Sequence, residues 1–133
     1  MSPAPAVGRK IHRAKIEKER EVEIWGTGSP RREFLHVGDC ADALVFLMER
    51  YSGETQINIG WGEDVSIRQL AEIIATVVGF KGGFRYDTSK PDGAPRKLLD
   101  VSKLAAMGWR PRIPLHEGIG DAYRGYLQSE LSR

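Results

Sequence analysis

The segment KPDGAPRK, residues 90–97, places basic side chains around one carboxylate on a loop that contains two prolines. The basic residues are Lys90, Arg96 and Lys97, and the carboxylate is Asp92. Prolines restrict the unfolded chain, so such a loop holds its charged groups at a reduced entropic cost. Cationic groups on a stiff loop suit an anionic ligand. The sequence therefore predicts an anion-binding loop, with a loop joined by surface salt bridges as the alternative.

A second cationic group follows an aromatic residue nearer the start of the chain. Arg31 and Arg32 emerge from a glycine- and proline-containing turn that begins directly after Trp25. Guanidinium groups bind phosphate oxygens, and an indole ring packs on a base or a sugar. Together with the basic loop, these residues indicate a site for a nucleoside diphosphate.

Three further patterns resemble cofactor or catalytic motifs without completing them. The glycine pairs at 26–28 and 60–62 lack the third glycine of a dinucleotide fingerprint, and the first leads into a second strand instead of a helix. Tyr86 and Lys90 have the Tyr-x-x-x-Lys spacing of short-chain dehydrogenases, but Pro91 disfavours the helix that would bring them together. We therefore expect no cofactor-binding and no catalytic residues in this chain.

Charge and composition limit the classes of partner. Lys and Arg number 20 against 18 for Asp and Glu, so the net charge of +2 does not indicate nucleic-acid binding. No apolar run approaches the roughly 18 residues of a membrane span, and the first eight residues lack the features of a signal peptide. Cys40 is the single cysteine and the three histidines lie far apart, so we expect no disulfide, no metal site and a cytoplasmic location.

The elements that must position these groups alternate between helices and short strands. Apolar residues at intervals of three and four predict helices over residues 7–19, 39–50, 66–78, 102–107 and 115–131. Alternating or compact apolar runs predict strands over residues 21–25, 32–37, 56–59 and 84–86. The fold class is therefore α/β, in a small α+β-like form without a complete Rossmann sheet, and residues 1–133 form a single domain.

Three local predictions are specific enough to be tested directly. The strands at 21–25 and 32–37 are expected to pair as a hairpin around the glycine turn. A capping box of Asp39 and Asp42 is expected to open the second helix. That helix is then expected to bury one apolar stripe, which consists of Ala41, Leu44, Val45, Leu47 and Met48.

Four segments carry a resemblance to a known family. They read WGTGSPRREFLHV at 25–37, INIG at 57–60, DVSIR at 64–68 and DTSKPDGAPRKLLD at 87–100. In this order and spacing they resemble the C-terminal region of the GDP-L-fucose synthases, the GDP-4-keto-6-deoxy-D-mannose 3,5-epimerase-4-reductases of the extended short-chain dehydrogenase/reductase group. The resemblance extends from about residue 9 to residue 127.

This resemblance implies a division of labour. An N-terminal Rossmann domain of the family binds NADP(H) and carries the catalytic groups, while the smaller C-terminal domain binds the GDP-sugar. By this resemblance, we expect the Rossmann domain to be absent from this chain. The family's substrate-binding positions fall on Lys10, Trp25, Arg32, Asp92 and Lys97. Lys10 stands where many members have arginine, a change that keeps the charge but loses the two-pronged fit to phosphate.

Two functions follow as hypotheses. In the first, the chain is the GDP-sugar-binding portion of a GDP-L-fucose synthase-like oxidoreductase and epimerase, inactive alone, with no NADP bound to this chain. In the second, it is a free-standing protein-interaction or nucleic-acid-binding module that keeps the scaffold without the chemistry. We also expect self-association or a Rossmann-domain partner, because a face normally covered by a larger domain becomes exposed, whereas a compact monomer would favour the second function.

Overall fold

The computed structural model describes residues 4–51, 53, 56–93 and 95–131, and for residues 4, 5, 97, 130 and 131 it describes the backbone only. Within these ranges the chain forms five helices and five short strands. The helices are α1 (Ala4–Ile16), α2 (Val37–Arg50), α3 (Ile67–Val78), α4 (Ser102–Ala106) and α5 (Leu115–Leu131). The strands are β1 (Glu21–Trp25), β2 (Arg31–Arg32), β3 (Val65–Ser66), β4 (Gly83–Asp87) and β5 (Arg96–Lys97). The predicted α/β class is confirmed.

The strands form two small sheets instead of the predicted hairpin. β1 pairs in parallel with β4, from Glu21 beside Gly83 to Trp25 beside Asp87. β2 pairs with β3 antiparallel and with β5 in parallel, in the order β3-β2-β5. The hairpin prediction is wrong because the turn after Trp25 leads the chain away from β1, whose hydrogen bonds go to β4. The predicted strand at 56–59 also does not form.

A main core lies where α1 packs on β1 and on α3, with α5 packed on the other helices through α3. α1 contributes Val7, Ile11 and Ala14, which confirms the predicted apolar stripe of this helix. α3 begins at the predicted capping box of Ser66 and Gln69. The main core consists of buried Val7, Ile11, Ala14, Val22, Ile24, Leu70, Ala71, Ile74, Ala75, Val78 and Phe80.

The start of α2 differs from the prediction. His36, not Asp39, is the N-cap, and its Nδ1 accepts a hydrogen bond from the Gly38 backbone N–H at 2.9 Å. The buried Asp39 carboxylate instead accepts hydrogen bonds from the backbone N–H groups of Arg112, at 3.1 Å, and Ile113, at 2.9 Å. The capping-box prediction fails because a tertiary contact uses the carboxylate that the local pattern assigned to the helix end.

Most of the apolar stripe predicted for α2 is exposed, contrary to the prediction, and of its five residues only Leu47 is half-buried. Leu44 is 50% exposed and Met48 is 83% exposed. A minor cluster of buried Ala43, Leu104 and Trp109 is what packs α2 against the rest of the molecule. We call the exposed apolar residues of α2 the α2 stripe; they are Val37, Ala41, Leu44, Val45 and Met48. Among the described helices, none combines the length and the apolar character needed to cross a membrane.

Candidate functional site

A pocket of about 310 Å³ opens between α1, the end of β1, the turn after it and the loop at residues 90–97, which we call the proline loop. It brings together Lys10, Trp25, Arg32 and Asp92, four of the five predicted site residues. Lys97 lies beside Arg32 in the strand register, but its side chain is outside the described part of the chain. Apolar and glycine residues complete the wall, namely Ala6, Val7, Ile24, Gly28, Pro30, Ile67, Pro91 and Gly93.

Trp25 presents an exposed indole between two ammonium groups. Its side chain is 64% exposed although its strand is paired. Lys10 Nζ lies 5.7 Å from the ring centroid and Lys90 Nζ lies 5.0 Å from it, both within cation–π distance. The family comparison did not assign Lys90 to the site, and only the charge density of the proline loop indicated it. The two lysines make this edge of the pocket cationic.

Asp92 joins the proline loop to the turn after β1. One carboxylate oxygen accepts a hydrogen bond from the Thr27 backbone N–H at 2.8 Å, and the other from the Thr27 hydroxyl at 2.7 Å. These two donors hold the pKa of Asp92 below its ordinary value. Gly26 has a positive φ of 88°, and a Cβ there would collide with the Asp92 carboxylate. A glycine at this position is therefore needed for the contact.

Arg32 reaches the pocket from β2. Its Nη1 donates to the carbonyl oxygen of Arg31 at 2.7 Å. A Cβ on Gly93 would stand 2.9 Å from Arg32 Nη2, so the proline loop lies close to the guanidinium at this glycine. The guanidinium therefore lies between β2 and the proline loop.

The Asp64 carboxylate lies next to Arg31 of β2 and Arg96 of β5. Asp64 was not among the site residues predicted from the sequence. Its carboxylate accepts hydrogen bonds from Arg96 and Arg31. Hydrogen bonds from Arg96 and then Arg31 lower the pKa of Asp64, and the same contact raises the pKa of Arg96. The only sequence signal was its place in the DVSIR segment.

Both glycine pairs that resembled phosphate loops contact carboxylates of the chain itself. In the first, the Thr27 N–H donates to Asp92. In the second, the Gly62 N–H donates to Glu33 at 2.6 Å, and Glu33 also accepts from the Leu99 N–H at 3.3 Å. One backbone N–H of each turn is therefore engaged by a carboxylate of the chain itself.

The Tyr-x-x-x-Lys spacing does not form a catalytic pair. Tyr86 lies on β4, and the chain turns before Lys90 instead of continuing as a helix, as the sequence predicted. The Tyr86 side chain packs under the Arg68 guanidinium, whereas Lys90 lies over Trp25. Burial raises the pKa of the Tyr86 phenol, which is the opposite of what a proton-transfer phenol requires.

His12 packs against aromatic rings and His36 caps α2, whereas His116 is exposed. His12 Nδ1 lies 2.8 Å from the Tyr123 hydroxyl oxygen, and its ring also contacts Tyr126 edge to face. Within the described ranges, no group of three or more His, Cys, Asp or Glu side chains is arranged to hold a metal ion. The pocket therefore offers cations, an indole and one carboxylate, which is the chemistry of anion and nucleoside binding.

Comparisons with known proteins agree with this chemistry. The family model described as the NAD-dependent epimerase/dehydratase family matches residues 2–60. GDP-L-fucose synthase 1 of Arabidopsis thaliana is 54% identical over 97% of this chain and 40% of its own length. The probable GDP-L-fucose synthase 1 of Oryza sativa subsp. japonica is 52% identical over 96% of this chain and 39% of its own length.

The fold is also found in a solved structure. A GDP-L-fucose synthetase from Naegleria fowleri bound to NADP superimposes with a TM-score of 0.88 at 26% identity, over 97% of this chain and 41% of that one. The chain spans about two fifths of the length of the curated relatives it matches. By sequence and fold together, these 133 residues correspond to about two fifths of the length of GDP-L-fucose synthases, and residues 2–60 match the NAD-dependent epimerase/dehydratase family.

Proposed function

We propose that residues 1–133 act as one C-terminal-type domain that binds the GDP-sugar of a GDP-L-fucose synthase-like epimerase and reductase. The observation that carries this proposal is the pocket, in which Lys10, Trp25, Arg32 and Asp92 converge from four separate segments. The names of the most similar relatives supply the ligand class. Those names give no support to the alternative of a free-standing interaction or nucleic-acid-binding module.

The division of labour within the pocket follows from the chemistry of its walls. Arg32 and Lys10, with Lys97 as an additional basic contact, bind the diphosphate oxygens. The exposed Trp25 indole packs on the planar base or on a sugar face. A volume of about 310 Å³ is at the lower end of the roughly 300–1,000 Å³ range for ligand pockets. The pocket therefore holds part of a GDP-sugar.

Titration with GDP tests the proposal, with amide chemical shifts as the readout. We expect a dissociation constant of about 0.1–10 mM, since the pocket supplies only part of a composite site. Replacement of Lys10 by alanine weakens binding by about tenfold, whereas Lys15→Ala, on an exposed part of the same helix, leaves it unchanged. Unmoved amides around Trp25 at millimolar GDP contradict the proposed function.

We also propose that the chain alone performs no reductive chemistry. Hydride transfer requires a nicotinamide cofactor held against the sugar carbonyl and an acid placed to protonate the oxygen. The glycine turns are engaged by Asp92 and Glu33, and the Tyr86 phenol is buried. NADPH absorbance with a GDP-keto-sugar should therefore stay constant in a preparation free of host enzyme. A steady decrease contradicts the proposal.

The α2 stripe supports a proposal about partners. Interfaces between two domains of one chain typically bury about 600–1,500 Å². Leu44 and Met48 are among the apolar residues that remain exposed here. We propose that this face drives self-association or recruits a Rossmann-type domain.

A further inference from the structure

Two very short strands beside the pocket consist entirely of basic residues. β2 is Arg31 and Arg32, and β5 is Arg96 and Lys97. Their parallel register sets Arg31 beside Arg96 and Arg32 beside Lys97. Like charges directly opposite each other destabilise a sheet. The pairing of β2 with β5 therefore requires a compensating negative charge.

Asp64 supplies this charge. Its side chain is only 2% exposed, and its Oδ1 accepts hydrogen bonds from Arg31 Nε at 2.9 Å and Arg96 Nη2 at 3.1 Å. Its Oδ2 accepts from Arg96 Nε at 2.6 Å, and its backbone carbonyl accepts from Arg31 Nη2 at 3.1 Å. One residue thus binds a guanidinium from each of the two strands.

We call the contacts of Asp64 with Arg31 and Arg96 the clamp, and they bear on the position of Arg32. Successive residues of a strand point to opposite faces, so fixing Arg31 on one face orients Arg32 on the other, which lines the pocket. The backbone agrees with this arrangement, because the Arg31 N–H donates to the Pro95 carbonyl at 2.9 Å. β2 is therefore held directly against the end of the proline loop.

We propose that Asp64 is a positioning residue for the phosphate-binding side of the pocket. It contacts no ligand itself, but it neutralises the Arg31–Arg96 pair, keeps β2 against β5 and so orients Arg32. The inference rests on the proposed function, since it names the residue that prepares the same site.

Replacement of Asp64 by asparagine distinguishes positioning from simple electrostatics. Removing a negative charge near an anion site strengthens binding if charge alone matters. Positioning predicts the opposite sign, and we expect GDP to bind about tenfold more weakly while guanosine, which lacks phosphate, binds as before. Glu63→Gln is the matched control, because it removes the same charge from an exposed neighbouring residue and should leave both affinities unchanged.

Amide exchange of Arg31 provides a readout that is independent of the ligand. We expect faster exchange in Asp64→Asn, because the Arg31 N–H to Pro95 contact loosens. If Asp64→Asn does not fold, Asp64→Glu keeps the charge and displaces the carboxylate by one methylene, and it should again weaken GDP but not guanosine.

The outcomes separate the two proposals. If the unchanged protein does not bind GDP, the proposed function fails and the positioning role fails with it. If that protein binds GDP and Asp64→Asn binds it equally well or more tightly, only the positioning role is overturned. Equal losses of GDP and guanosine affinity also overturn it, because they indicate a general structural defect.

Discussion

The main core and the minor cluster differ in how each holds its helices. The main core buries eleven residues from α1, β1, α3 and the segment after it, whereas the minor cluster buries three. Apolar burial is the dominant favourable term in folding, so the first region has its own source of stability. The second depends on its surroundings.

Polar contacts compensate for the small size of the minor cluster. Asp42 accepts a hydrogen bond from Trp109 Nε1 at 2.9 Å. Asp39 accepts hydrogen bonds from the backbone N–H groups of Arg112 and Ile113. These directional contacts fix where α2 lies without covering its apolar side. Val7 and Ile24 of the main core line the pocket, so the proposed ligand site lies on the more extensively buried region, whereas the α2 stripe is exposed.

The largest expected effect contrasts one leucine from each region. Leu70 is fully buried in the main core, and Leu44 is 50% exposed on the α2 stripe. We expect Leu70→Ala to lower the free energy of unfolding by about 2–5 kcal/mol. Leu44→Ala, the matched change in another helix, should alter it by less than about 0.5 kcal/mol. Urea denaturation followed by circular dichroism measures both, and equal losses show that the regions do not differ.

The second prediction concerns association through the α2 stripe. The sedimentation coefficient of the unchanged protein should rise with concentration, because apolar patches of several hundred Å² are seldom left uncovered. Met48→Glu places a charge in the stripe and should weaken association by about tenfold. Ser129→Glu adds the same charge to an exposed position of α5 and serves as the control. A monomer at all concentrations contradicts self-association through this face.

The contrast between the regions also explains which helices could be predicted from sequence. The periodicity of α1 and α3 correctly identified buried faces, because a neighbouring element of the same chain covers each of them. The periodicity of α2 identified an apolar face equally well but assigned it to the interior. Helical periodicity locates an apolar face and carries no information about what covers it. The hairpin failed for a related reason, since turn residues do not reveal that β1 pairs with the distant β4.

Only part of the candidate site could be predicted from the sequence, for a similar reason. Trp25, Arg32 and Asp92 were selected by side-chain type and family motif, and the pocket brings them together. The partners that hold them, Thr27 and Asp64, were not selected because their roles depend on which segments meet in three dimensions. Residue types therefore indicated the ligand chemistry, whereas the supporting contacts required the fold.

The third prediction tests the connection between the turn and the proline loop without changing any charge. Thr27→Ala removes the hydroxyl that donates to Asp92 at 2.7 Å but keeps the backbone donor. The proline loop should be held less firmly against the turn, and we expect GDP affinity to fall about three- to tenfold. Thr76→Ala, an exposed threonine of α3 outside the pocket, should have no effect on binding. Unchanged affinity in Thr27→Ala shows that the backbone contact alone suffices.

The smallest expected effect is the response of stability to acid. Hydrogen bonds lower the pKa values of Asp64 and Asp92 in the folded protein below the ordinary 3.8. A carboxyl with a lowered folded pKa stabilises the fold above its unfolded value, and this contribution is lost as the pH falls through the folded pKa.

These two groups should therefore leave the urea midpoint almost independent of pH above about pH 5. The midpoint should decrease as the pH falls below 3.8 and each carboxylate is protonated. Asp64→Asn removes one of the two groups, so its midpoint should depend less steeply on pH in that acidic range. Glu117→Gln, which removes an exposed carboxyl on α5, is the control and should follow the unchanged protein. Parallel curves for Asp64→Asn and the unchanged protein show that the two arginines do not stabilise the Asp64 carboxylate, and the clamp behind the pocket then contributes nothing to the fold.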